Sequence, residues 1–164
     1  MILSSFTTTS MEDVAKTNKN GLLWLHILLT LPDDMIKEHV IEAEKLGYKA
    51  LVLTVDQPDI TVLRDNLYLF DMKQTTFPMM KIPPNVSVVK HVTDNCFSFP
   101  ITWEKIEWVQ TLTSLPIVIK GILTAEDATE AMKHNIRGII VSNHGGRQLD
   151  CVPATVRLLV VYCT

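Results

Sequence analysis

His144 and Arg147 stand three residues apart in the run Ser142-Asn143-His144-Gly145-Gly146-Arg147-Gln148-Leu149-Asp150. An imidazole can take a proton near neutral pH. A guanidinium presents a planar fork that grips a carboxylate through two hydrogen bonds. Together they suit removal of a proton from a small carboxylic acid. The glycines between them loosen the backbone. The run follows Gly138-Ile139-Ile140-Val141, a short apolar stretch that reads as a buried strand. Both side chains therefore fall just past the C-terminal end of a strand, where ligands bind in parallel α/β folds. An isolated loop histidine would read as a partner for a helix end. The strand-end position and the neighbouring arginine favour chemistry.

Other positions share this logic. Lys120 closes the apolar run Ile117-Val118-Ile119 and precedes Gly121. A lysine at a strand end can stabilise negative charge on a cofactor or substrate, although a solvated lysine would look the same. Thr54 fits a strand as a β-branched residue, and its hydroxyl can also reach a ring edge. Ser4 and Ser5 form a polar pair ending an apolar stretch. His26 interrupts an apolar strand and reads as a core histidine, as Trp24, Trp103 and Trp108 read as core. His39, His91 and His134 show no metal-ligand spacing.

Strand and helix patterns alternate along the chain, which predicts a parallel α/β layout. Expected strands are 1–5, 22–29, 50–55, 116–120 and 138–141. Expected helices are 11–15 capped by Ser10, Asp33 or Asp34 to Leu46 stopped by Gly47, 103–112, and 125–134 capped by Thr124. Residues 59–100 hold Pro78, Pro83, Pro84 and Pro100 without a clear period and read as an irregular loop insertion. No glycine-rich dinucleotide loop follows any strand, which argues against a Rossmann fold.

The chain has 164 residues and is 47% hydrophobic, with a mean hydropathy of +0.20. This predicts one globular core. A net charge of −3 gives no reason to expect nucleic acid or an anionic membrane as partner. Cys96, Cys151 and Cys163 form neither a metal motif nor a disulfide framework, which fits a reducing compartment. No apolar run reaches the ~18 residues of a membrane span, and the N-terminus lacks a signal-peptide pattern.

With Lys120-Gly121 and Ser142 to Asp150 in hand, the chain resembles the FMN-dependent 2-hydroxyacid oxidases, the family of glycolate oxidase and long-chain hydroxyacid oxidase. The likeness is strongest from Trp103 to Val156. It extends to Leu3-Ser4-Ser5 and Leu53-Thr54-Val55-Asp56, and omits the middle loop and the last eight residues. It implies an α/β fold, a partial TIM (β/α)8 barrel with about five of eight strand-helix units. Residues 1–164 would be a single incomplete barrel domain of the truncated type, with 157–164 a divergent tail. It implies FMN as cofactor. Ser4 and Thr54 would contact the flavin ring, Lys120 would stabilise its reduced anion, and Ser142 would line the site. His144 would be the catalytic base and Arg147 the holder of the substrate carboxylate. The implied reaction is oxidation of an (S)-2-hydroxy acid to a 2-oxo acid, with oxygen reduced to hydrogen peroxide. The family is often homo-oligomeric and peroxisomal. Tyr162-Cys163-Thr164 is not a peroxisomal address of the Ser-Lys-Leu type, which leaves the cytoplasm as the other expectation.

The sequence also departs from the family. Its Phe-Gln-Leu-Tyr strand is here Leu25-His26-Ile27-Leu28, so a flavin-contacting glutamine becomes His26 and a substrate-binding tyrosine becomes Leu28. The nearest arginine to the family's substrate arginine after Asp56 is Arg64, one position off. The family's first strand and its last two, whose loops grip the FMN phosphate, have no counterpart here. These departures support a further expectation, a catalytically inactive truncated relative serving as a binding or dimerising module. Because the strand-end motif does not specify the electron acceptor, another FMN barrel enzyme such as a lactate oxidase or cytochrome-linked dehydrogenase is a third.

Overall fold

The computed structural model describes residues 1–57, 77–83, 85–87, 91, 94–95 and 100–162. Arg64, Cys96, Cys163 and most of the expected loop insertion lie outside these residues.

Five strands form one parallel sheet in chain order: β1 (Ile2–Leu3), β2 (Trp24–Leu28), β3 (Ala50–Thr54), β4 (Ile117–Ile122) and β5 (Gly138–Val141). The helices among the described residues are α1 (Met11–Thr17), α2 (Asp33–Lys45), α3 (Trp103–Thr111), α4 (Ala125–Lys133) and α5 (Thr155–Tyr162). The expected α/β alternation is thus what the chain adopts. The sheet order follows because each helix carries the chain back to start a parallel neighbour.

The caps follow from residue type. Ser10, Thr102 and Thr124 each accept a hydrogen bond from the backbone N–H three residues on, at Asp13, Lys105 and Asp127. This satisfies a donor that the first helical turn leaves without a partner. Gly47 ends α2 at a φ of 81°, a conformation glycine takes without a Cβ penalty.

Side chains alternate between the two faces of a strand. Leu25, Ile27, Leu51, Leu53 and Ile119 are fully buried, and they join Ile36, Val40 and Ala43 of α2 with Ile106 and Val109 of α3 in one core. Ile36, Val40 and Ala43 recur at helical spacing, so one face of α2 supplies the contact. Burying each such side chain stabilises by about 1.5–3 kcal/mol. The opposite register carries the polar residues. Leu28 pairs with Thr54 and Thr54 with Lys120, and Lys120 pairs with Ile140. This row crosses the sheet at its C-terminal end.

Two elements differ in extent from their expectation. β4 runs past Lys120 to Ile122, through a register shift between Lys120 and Ile122. Gly121, at a φ of 114°, makes that bulge, and the apolar pattern does not reveal it. Part of the middle segment is core rather than free loop. Phe77, Met79 and Met80 are buried around a short 3-10 turn, Pro78–Met80. His39 Nε2 meets the Met79 carbonyl at 2.9 Å, and Lys81 pairs with Glu38, so α2 holds this stretch at two points. The tail is helical: α5 packs against β5. No helix among the described residues is long and apolar enough to cross a membrane.

Candidate active site

The strand-end loop after β5 positions His144 by its own hydrogen bonds. His144 N–H donates to Ser142 Oγ at 3.0 Å, and Gly145 N–H donates to Asn143 Oδ1 at 3.2 Å. His144, Gly145 and Gly146 all have positive φ, at 57°, 69° and 68°. Two consecutive glycines make this left-handed path accessible, and His144 bears its cost. Arg147 is exposed, and its Nε donates to the His144 carbonyl at 2.9 Å. That bond leaves the terminal guanidinium nitrogens to face solvent or a ligand.

The His144 ring turns toward β3 and β4. Its Nδ1 lies 2.8 Å from Asp56 Oδ1. A carboxylate accepts only, so Nδ1 carries the proton and donates it. Nε2 is then the bare nitrogen, free to accept a proton. Lys120 Nζ is 3.3 Å from Asp56 Oδ2 and 3.5 Å from His144 Nδ1. With Nδ1 protonated, the lysine serves Asp56. The Asp56 carboxylate is 6% exposed, against 24% for the Lys120 side chain and 17% for His144. Burial pushes the Asp56 carboxyl up, but the His144 hydrogen bond and the Lys120 charge outweigh it. The net shift is downward, so Asp56 stays ionised.

Gly121 makes this cluster compact. A Cβ there would stand 2.5 Å from Asp56 Cβ and 2.7 Å from Asp56 N. Only a residue without a side chain lets the β4 bulge approach the end of β3 so closely.

His26 joins from β2. Its Nε2 is hydrogen-bonded to Thr54 Oγ1, and Ser5 Oγ donates to the His26 carbonyl at 2.6 Å. Burial, then the charge of Lys120, lower the His26 pKa to about 4, so the ring is neutral at physiological pH. Its Nδ1 is buried without a partner.

The structure therefore gathers Thr54, Lys120, Ser142 and His144 at one end of the sheet, with Arg147 on the same loop. Ser4 is exposed, and its hydroxyl accepts from Phe6 N–H at 3.1 Å. Its neighbour Ser5 makes the link to β2. Sequence reasoning missed Asp56 and His26 as site residues. Asp56 looked like a strand terminator, and His26 looked like core. The signal for His26 was present: its alternation with Leu25 and Ile27 puts it on the face of Thr54 and Lys120. His39 and His134 sit away from this site. His39 is buried against Met79, and His134 stacks on Trp103 with ring centroids 4.5 Å apart and pairs with Glu107.

Comparison with known proteins agrees with this geometry. The chain is 39% identical over 180 residues to 2-hydroxyacid oxidase 1 of Homo sapiens, covering 97% of this chain and 46% of that protein. It is 38% identical over 165 residues to a peroxisomal (S)-2-hydroxyacid oxidase of Arabidopsis thaliana, covering 97% and 45%. A mandelate oxidase variant solved with a C4a-OH-FMN adduct superposes with a TM-score of 0.71 at 30% identity, over 99% of this chain and 44% of that one. The chain thus spans a little under half the length of these relatives. The profile of the FMN-dependent dehydrogenases matches residues 1–162. A parallel sheet with a histidine, a lysine and a carboxylate at its C-terminal end is the arrangement on which that match falls, and the chain belongs to the FMN-dependent dehydrogenase family.

Proposed function

We propose that this chain carries the catalytic half-site of an FMN-dependent (S)-2-hydroxyacid oxidase. The observation that carries the reading is the Asp56–His144–Lys120 cluster. It supplies a proton acceptor and a cation at one strand end.

The residues fit the edge of a flavin ring. Lys120 offers a cation, and Thr54 a hydroxyl that is hydrogen-bonded to His26. Thr54, Lys120 and Ser142 would hold the ring, with Ser4 contributing from the loop after β1. FMN, when bound, supplies a two-electron acceptor. The chain's own residues do the rest. Arg147 receives the substrate carboxylate on its free guanidinium nitrogens. His144 Nε2 takes a proton from the 2-hydroxy acid, while Asp56 holds the opposite ring nitrogen and balances the charge gained. Lys120 would offset negative charge at the edge of a bound flavin. Overall, the hydroxy acid loses two electrons and two protons to become a 2-oxo acid, and oxygen takes them up as hydrogen peroxide. Residues 1–164 act as one barrel-type domain, with 59–100 inserted and 157–164 divergent. The domain works in the peroxisome, as the Arabidopsis relative's name suggests, and as part of a homo-oligomer.

The test is to titrate FMN into the protein, then add an (S)-2-hydroxy acid without oxygen. Quenched flavin fluorescence, followed by bleaching of the flavin band, supports the reading. Bound flavin that stays oxidised with every short-chain and aromatic 2-hydroxy acid tried refutes it.

A further inference from the structure

We propose that His26 fixes the Thr54 hydroxyl as a hydrogen-bond donor toward the strand-end site, so that this position selects an acceptor atom on the bound group. The proposal rests on the functional reading above for the identity of that group.

The argument starts from the ring. His26 Nε2 and Thr54 Oγ1 are hydrogen-bonded across the β2–β3 pair. A neutral imidazole has one N–H, on either nitrogen. If Nε2 accepted the Thr54 proton, the ring proton would sit on Nδ1, which is buried and has no acceptor. Orphaned buried N–H groups are rare, and a bare lone pair is the more tolerable vacancy. The surroundings favour the same choice. Lys120 acts on this ring as a positive neighbour more strongly than Asp56 acts as a negative one, and an N–H pointing into a positive field is disfavoured where a lone pair is not. The ring also remains neutral, because burial and the Lys120 charge oppose a second proton. The proton therefore lies on Nε2, and His26 donates to Thr54.

Thr54 Oγ1 has one proton of its own. With His26 donating to the oxygen, that proton has no use on the ring and is left to donate toward the site. No other hydrogen bond involves this hydroxyl among the described residues. Thr54 pairs in register with Lys120, whose ammonium is donor-only. Two neighbouring strands thus present donors side by side. Such an edge favours a carbonyl oxygen, an imine-type nitrogen or a carboxylate oxygen over an N–H. Ser5 supports the geometry by holding the His26 carbonyl at 2.6 Å, which anchors β2 beneath the ring. His26 is thus a positioning residue that acts through Thr54.

The direct test is long-range proton–nitrogen NMR of the 15N-labelled full chain near pH 7. The His26 signals are assigned by their loss in His26→Leu, or by proximity to the Thr54 methyl if that variant does not fold. The expected result is a proton on Nε2 and a bare Nδ1. A proton on Nδ1, or a doubly protonated ring, overturns the proposal. A second test titrates FMN by fluorescence quenching into the unmodified chain, His26→Leu, Thr54→Val and the double variant. Thr54→Val should weaken FMN about three- to ten-fold, the loss of one hydrogen bond. His26→Leu should weaken it in the Thr54 background and add nothing in the Thr54→Val background. An equal loss in both backgrounds shows that His26 does not act through Thr54. Failure of the unmodified chain to bind FMN counts against the functional reading, and the NMR result then decides the His26 assignment alone.

Discussion

Replacing Gly121 by alanine tests whether the close approach of β4 to Asp56 builds the site. Two costs arise. At a φ of 114° an L-residue is strained, which costs about 1–3 kcal/mol. The new methyl would also stand 2.5 Å from Asp56 Cβ, 2.6 Å from Cγ and 2.7 Å from the backbone N. A backbone atom cannot swing aside, so one strand end must shift, for a further cost of about 1–3 kcal/mol. The expected total is about 2–6 kcal/mol, or a fall in Tm of roughly 4–24 °C in a chain of this size. Gly47→Ala is the control. Its φ of 81° is also left-handed, but nothing lies within 4 Å of the added methyl. It should cost only the backbone term, about 1–2 kcal/mol. Thermal melts and urea titrations of the two variants measure the difference. Equal losses would refute the claim that contact with Asp56, rather than backbone strain alone, makes glycine necessary at 121.

Three further outcomes follow from the site. His26 has a pKa of about 4 in the folded chain against an ordinary 6.5, so the unfolded chain binds its proton first as pH falls. Its contribution is full above pH 6.5 and is lost as pH falls to about 4, by about 3 kcal/mol; His26→Gln should flatten urea-derived stability across that window. Asp56→Asn should slow flavin reduction by about 10²-fold or more, because it removes the charge that supports a protonated His144, while changing FMN affinity less than ten-fold; a rate within a factor of three in anaerobic stopped-flow would contradict that role. Arg147→Lys should raise KM for the hydroxy acid more than it lowers kcat, since an ammonium cannot reproduce a two-pronged grip; steady-state kinetics with unchanged KM would remove Arg147 from the substrate site.

Much of this was legible in the sequence, for physical reasons. Apolar runs of strand length between capped helices specify the βα alternation, and Ser10 and Thr124 cap the helices they precede as their residue types predict; the Thr102 cap was not read. The loop from Ser142 to Arg147 announced itself by chemistry concentrated at a strand end. The Asp56–His144 bond was not legible, because it joins residues 88 positions apart and depends on the register of three strands. The β4 bulge was hidden because Gly121 in an apolar run resembles a strand terminator. His26 was left with the core because one polar residue among Leu25, Ile27 and Leu28 suggests burial, and the alternation that turns it to the face of Thr54 and Lys120 went unused. The burial of Phe77, Met79 and Met80 escaped detection because a proline-rich segment has no period to betray a core contact.

Anaerobic flavin reduction in His144→Ala tests the account most directly. His144 Nε2 is assigned to the substrate proton, and cofactor binding is assigned to other residues. The FMN-loaded variant should therefore keep an FMN affinity close to that of the unmodified protein and lose about 10²–10⁴-fold in the rate at which an (S)-2-hydroxy acid bleaches the flavin. Bleaching at the unmodified rate with FMN fully bound would contradict the assignment of His144 as the base, and with it the proposed chemistry of the strand-end site.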